Sequence, residues 1–408
     1  MRRSLRKGDR ALLDRLAILL LIVGVAASPL ARAQFTNVTL YGNLNLDVEV
    51  VNGARTDGGN PSIVRVSSNS SRFGLRGHEY VGHGQVAIFQ LESSVLGDTG
   101  GSTLASRETW VGLQGDWGTV KLGNFLTPYD DIHTIFGNSP TLTTSILSTA
   151  ALWAQGALSK SEGGFDARLG NSIRYETPPL QGFSAALQFA TRDTSGDPNG
   201  GDNGDRLSEL RHANVTSAGG FYSGGPVDLG IAYERNYRIR PTGPNDDALS
   251  ITGGYDFGTV ARNVGLRVAG VYERLNYDTP TGSLERDFYG LSTTISVGDG
   301  TFYAFWGKAA DGKGSAIDGT TIGALVKGPD TSSQQWELSY SYNLSLRTML
   351  YAGWVKIDNR PFAGFAGYFD RALVQFDQPL GQRQSEADAD VFPVEAAIDL
   401  PERRQRNR

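Results

Sequence analysis

Apolar and polar side chains alternate with a period of two along much of this chain, the signature of extended strands with two unlike faces. In the first such stretch Val38, Leu40, Leu44, Leu46, Val48 and Val50 fall on one face, and Thr39, Tyr41, Asn43, Asn45, Asp47 and Glu49 on the other. A helix would mix the two sets. The pattern recurs with Leu229, Ile231 and Tyr233 against Asp228 and Glu234, and with Leu249, Ile251, Tyr255 and Phe257 against Ser250, Thr252 and Asp256. Leu291, Ile295 and Val297 oppose Ser292, Thr294 and Ser296, and Trp336, Leu338, Tyr340 and Tyr342 oppose Gln335, Glu337, Ser339, Ser341 and Asn343. Such segments predict about fifteen strands, centred near residues 44, 74, 88, 111, 121, 174, 187, 220, 231, 253, 270, 292, 305, 339 and 353. Their linkers alternate between tight turns such as Gly115-Asp116-Trp117-Gly118 and long polar loops such as 191–211. That is the rhythm of an all-β, transmembrane antiparallel barrel, although a soluble sandwich also alternates.

The N-terminal residues change the picture. Met1 to Arg15 carry six basic residues, Leu16 to Ala27 form an apolar run of twelve, and Ala31-Arg32-Ala33 supplies a small-x-small cleavage pattern. Residues 1–33 therefore read as a signal peptide, leaving Gln34 as the new N-terminus; the run is short for an anchor, which needs about 20 apolar residues. No later stretch is long enough for a membrane helix, so any membrane passage must use strands. The remainder carries 31 basic and 41 acidic residues, a net charge of −10, which argues against nucleic acid as a partner. With no cysteine, disulfides, thiolate nucleophiles and cysteine–metal sites are excluded.

Three stretches then carry a resemblance: VTLYGNLNLDVEVVN after the leader, SSRFGLRGHEYVGHGQVAIFQLES at 70–93, and SRETWVGLQGDWGTVKLGNFLTPYD at 106–130. NSIRYETPPLQGFSAALQF at 171–189 and RTMLYAGWVKIDN at 347–359 extend it in the same order. Together they resemble the general-diffusion porins of Gram-negative bacteria, especially the β-proteobacterial branch. The resemblance implies about sixteen strands, a homotrimer with one pore per subunit, and a long third loop folded inward to narrow the pore. It also implies an outer-membrane location among lipid and lipopolysaccharide, passage of small hydrophilic solutes and ions, no cofactor and no enzymatic chemistry. The interval between Phe125 and Ser172 has room for the inward loop. Two other readings stay open: a solute-specific outer-membrane channel, and a secreted soluble β-protein such as a lectin or adhesin.

Selectivity in such a pore comes from its width and from the charges lining it. With Phe73 and Leu75 facing lipid, Arg72 and Arg76 face the lumen, since a mid-depth charge in lipid costs about 2–4 kcal/mol. Arg107 and Arg168, with these two, resemble the family's basic ladder opposite the loop. The loop offers Asp130, Asp131 and Glu162 as its acids, while Thr141, Thr143, Thr144, Ser145, Ser148 and Thr149 fill its middle. A basic wall opposite a weakly acidic loop favours anions; alternatively these arginines pair with Glu79, Glu92 or Glu108 and brace the wall. Tyr41, Trp110, Trp117, Tyr351 and Trp354 are candidates for interfacial girdles. Asp98-Thr99-Gly100 reads as a loop tip, residues 197–205 as a solvated loop, and His78, His83, His133 and His212 match no hydrolase motif. The barrel is expected over 34–370. Residues 371–408 form an atypical tail, departing from the terminal aromatic strand of the family.

Overall fold

The computed structural model describes residues 37–53, 62–136, 147–153, 164–191, 213–240, 245–359 and 368–373. The leader at 1–33, Glu162, His212, the 197–205 loop and the tail beyond residue 373 lie outside the described residues.

One antiparallel sheet dominates. Its nineteen strand segments amount to sixteen strands once pieces split by short irregularities are joined. Strand β1 is Asn37–Asn43 continued by Leu46–Gly53, and β2 is Ser62–Ser68 continued by Arg72–Gly82. Next come β3 (Gln85–Val95), β4 (Thr109–Gly115, led in by Ser102–Thr103), β5 (Gly118–Phe125) and β6 (Leu169–Glu176). The middle holds β7 (Phe183–Thr191), β8 (Asn214–Gly224), β9 (Val227–Tyr237), β10 (Asn245–Ala261) and β11 (Val264–Thr279). The chain ends with β12 (Gly282–Val297), β13 (Gly300–Ala309), β14 (Ser333–Ser345), β15 (Thr348–Asn359) and β16 (Tyr368–Leu373).

Each strand pairs with the next, so the topology is up-and-down throughout. β16 also pairs with β1, from Val48↔Leu373 to Gly53↔Tyr368, which carries the ladder across the seam between last and first strands. Joining the edges in this way satisfies backbone groups that lipid would leave bare. The strand runs across the boundary expected at residue 370, and it supplies the sixteenth member beyond the fifteen that alternation marked.

At one end of the barrel all connections are tight: 83–84, 116–117, 177–182, 225–226, 262–263, 298–299 and 346–347. The opposite end carries the longer connections, with Thr279–Gly282 the one tight exception. This asymmetry matches that of outer-membrane barrels.

The burial pattern is that of a soluble protein turned inside out. Leu40 is 63% exposed while Glu49 is 1% exposed, and Leu229, Ile231, Ile251, Leu291, Phe302 and Leu338 all point outward. Aromatic pairs cap this apolar belt. Near the tight turns lie Trp117–Tyr175, Phe183–Tyr222, Tyr255–Phe257 and Phe302–Tyr340; Tyr272–Tyr289 and Trp306–Trp336 sit nearer the loops. These are the two girdles expected at the membrane interfaces. Of the girdle candidates, Trp117 belongs to one of them. Tyr41, Trp110 and Tyr351 do not: their strand parity turns them inward, where they meet Glu92, Lys121 and Asp47.

Candidate functional site

The described parts of the third long connection, 126–136, 147–153 and 164–168, enter the barrel rather than rising above it. After Phe125 the chain forms a helical turn, α1 (Pro128–Asp131), continued by a tighter 3-10 turn over Ile132–Phe136. The Tyr129 amide donates to Ser217 Oγ on β8 (3.1 Å), and its hydroxyl donates to Glu273 on β11 (2.7 Å). Arg267 of β11 donates to the Ile135 carbonyl (2.9 Å). Farther along, the Thr149 hydroxyl donates to Glu337 of β14 (3.0 Å) and lies 2.9 Å from the Tyr303 hydroxyl of β13; Gln335 holds the Ser148 carbonyl (2.7 Å). The loop is thus laid along the inner face of β8–β14.

What fastens it there is an apolar core inside the barrel. Tyr129, Ile132, Ile135, Phe136, Trp153 and Phe165 from the loop pack against Val271, Leu275, Tyr277, Leu284, Phe288, Tyr303 and Phe305 from the wall. Trp153 is wholly buried, stacked on Phe288 with Phe136 at its edge. Glycines let the loop lie close. A Cβ at Gly230 would come within 2.9 Å of Ile132, and one at Gly353 within 2.7 Å of Leu147.

The other wall, β1–β6, is charged. Glu92 of β3 accepts from Arg107 (2.5 Å), from the Tyr41 hydroxyl (2.9 Å), and lies 3.6 Å from Arg72. Arg76 stacks over the Tyr41 ring at 5.4 Å. Two guanidinium groups thus meet one carboxylate, and a third lies over the ring of the tyrosine that donates to it. Arg168 pairs with Glu108 (2.8 Å), whose carboxylate also accepts the Leu126 amide at the start of the loop. On β5 and β6, Glu176 binds both Lys121 (3.1 Å) and Arg174 (2.7 Å), and Arg174 reaches Asp131 (2.5 Å). Burial pushes the Asp131 carboxyl up to about 6, with the Arg174 guanidinium pulling the other way. Higher on the wall Arg65 pairs with Glu49 (2.7 Å).

Of the sequence candidates, Arg72, Arg76 and Arg107 are brought together, with Arg168 one carboxylate away. Asp130 and Asp131 sit at the root of the loop, against His133 and Arg174 respectively. Glu92 and Glu108 are the acids that meet the arginines. Sequence reasoning passed over Lys121, Arg174, Glu176 and Glu273, and read Glu234 only as one member of a polar face. Parity could have found them: each lies one position from an outward apolar or aromatic residue, Leu122, Ile173, Tyr175, Tyr233 and Tyr272. Asp98-Thr99-Gly100 is an exposed loop tip, and His83 occupies a tight turn with positive φ of 53°.

The family model for the Gram-negative porin matches residues 18–361. The chain belongs to that family. This porin is 30% identical to the chitoporin of Vibrio furnissii over 273 residues, spanning 62% of this chain and 68% of the relative. It is 26% identical to outer membrane porin protein 32 of Delftia acidovorans, over 84% of this chain and 89% of that one. Among solved structures, the anion-selective porin from Comamonas acidovorans shares the fold with a TM-score of 0.63 and 24% identity, across 84% of this chain and all of that one. The porin is accordingly an outer-membrane diffusion channel for small hydrophilic solutes and ions. Its relatives are channels rather than enzymes.

Proposed function

We propose that the passage lies between the inward loop and the β1–β6 wall, and that this wall gives the porin an anion preference. The observation that carries the reading is the pairing of Arg72 and Arg107 with the single carboxylate of Glu92, with Arg76 beside them over the Tyr41 ring. A field that is net positive at the narrowest point raises local anion concentration, and its effect is greatest where salt screens least. The anion-selective solved neighbour is consistent with it. Asp130, Asp131 and Glu162 complete the loop's share of the field. In this reading three copies assemble, as the family resemblance implies.

A solute-specific channel, which the chitoporin relative brings to mind, needs rings open to the pore on which sugars can stack. Trp110 on the charged wall and Tyr351 on β15, facing Asp47 of β1, are buried, at 3% and 2% exposure, and hold polar partners, which favours general diffusion. On the outer face, Arg274 and Lys313 converge on Asp287 near the long-loop end, with Asp247 and Asn276 beside them. Charges at that height suit lipopolysaccharide head groups rather than acyl chains. Current through purified protein in a planar bilayer under a KCl gradient tests the proposal. Conductance steps in threes with a reversal potential of chloride sign support it, and a potassium-signed potential overturns the basic-wall reading.

A further inference from the structure

At the root of the inward loop, Asp130 and His133 stand three residues apart on the helical turn, and Asp166 comes back to meet them from the far end of the loop. His133 Nδ1 lies 3.1 Å from Asp130 Oδ1 and 3.8 Å from Asp166 Oδ1. One donor atom from each residue falls within 4.8 Å of the others. Asp166 holds a left-handed backbone, φ 60°, an uncommon conformation for a residue other than glycine.

The surroundings bear on what this cluster is for. His133 is 7% exposed and its Nε2 has no hydrogen-bond partner; the ring is packed edge-on against Trp153 at 4.3 Å. From the wall, Glu234 of β9 is 1% exposed and lies beside Thr127, Ser217 and the Asp166 amide, with both carboxylate oxygens outside hydrogen-bond geometry. His133, Asp166 and Glu234 are buried, with Asp130 half-buried at their edge. A buried carboxylate outside hydrogen-bond geometry, as Glu234 is, is costly unless a cation stands near it.

We infer that Asp130, His133 and Asp166 form a divalent transition-metal site of the zinc class, with Glu234 standing behind Asp166. Tetrahedral zinc with bonds of about 2.0–2.2 Å sets donor atoms about 3.3 Å apart. The spacing found here reaches that with shifts on the order of 1 Å, and one imidazole with carboxylates suits zinc or its neighbours better than calcium or magnesium, which take oxygen alone. Because Asp130 and His133 leave the wall at the start of the loop and Asp166 returns at its end, the ion closes the loop on itself at its base.

Zinc chloride titrated calorimetrically into chelator-treated, folded porin in detergent is the test, with Co²⁺ absorption as a second reading of the ligand field. One tight site per chain is expected, with a raised unfolding temperature and a Co²⁺ spectrum of low-coordinate type. His133→Gln and Asp166→Asn should each weaken zinc binding at least about 100-fold, beyond the effect of altering an outer partner; His83→Gln, at an exposed turn, should leave it unchanged. Absence of stoichiometric zinc uptake by the folded wild type, an octahedral aqua-like Co²⁺ spectrum, or full binding by folded His133→Gln overturns the site. If His133→Gln does not fold, the wild-type titration and Co²⁺ spectrum decide alone.

Discussion

The two inner walls of this barrel obey the same alternation and end in opposite chemistry. On β1–β6 the inward positions are Asp47, Glu49, Glu92, Lys121, Arg174 and Glu176, tied into ion pairs and hydrogen bonds. On β11–β13 they include Val271, Leu275, Leu284, Phe288 and Phe305, buried against the loop. On the first wall the inward side chains pair with one another; on the second, apolar side chains pack against the loop while Ser217, Glu273, Gln335 and Glu337 hold it by hydrogen bonds. The largest hydrophobic core among the described residues lies between loop and wall, so burial holds the loop in place on one side while the charges stand on the other. The two jobs are divided between opposite sides.

That division can be broken from either side. The largest effect is expected from Trp153→Ala, which removes the ring at the centre of the loop core and should cost about 3–5 kcal/mol. Single-channel conductance should rise and become noisier as the loop loosens, while far-UV circular dichroism keeps its β signature. Next comes Gly230→Leu, which forces a side chain against Ile132 and Ile135. Overpacking of this kind costs about 1–3 kcal/mol, read as a lower midpoint of thermal unfolding in detergent and a shifted loop. On the charged wall, Glu92→Gln should lower thermal stability by no more than that, about 1–3 kcal/mol for the buried partners it strands, and strengthen anion preference in reversal-potential measurements. The smallest effect belongs to Trp117→Ala in the girdle, about 1 kcal/mol or less, seen only as reduced thermal stability with conductance unaltered.

Much of the barrel was legible because a lipid-facing strand must keep one face apolar, and Leu229, Ile231, Leu291 and Leu338 do so without interruption. All fifteen strand centres fall on strands or, at residue 44, in the short break within β1. Strand β16 was harder to read because Tyr368–Leu373 carries too short a run for alternation to register. The aromatics misled for a definite reason: a ring near a strand end resembles a girdle whichever way it points, and only parity sends Tyr41, Trp110 and Tyr351 inward. The loop's docking surface was hidden in strands such as β11, where Val268 faces out and Val271 faces in, because apolar residues on both faces blur the period. The site was legible in its basic members and not in their arrangement. Arg72, Glu92 and Arg107 come from or border three different strands, and their meeting depends on a register that no local pattern states.

In the proposed reading, ion preference resides on the β1–β6 wall. The reversal potential of the Arg72→Gln, Arg107→Gln double variant, measured beside the wild type in planar bilayers under the same KCl gradient, tests it most directly. The expected result is a wild-type potential of chloride sign and a shift toward potassium in the double variant, with step size little altered. An unchanged reversal potential in a folded, conducting double variant would contradict it.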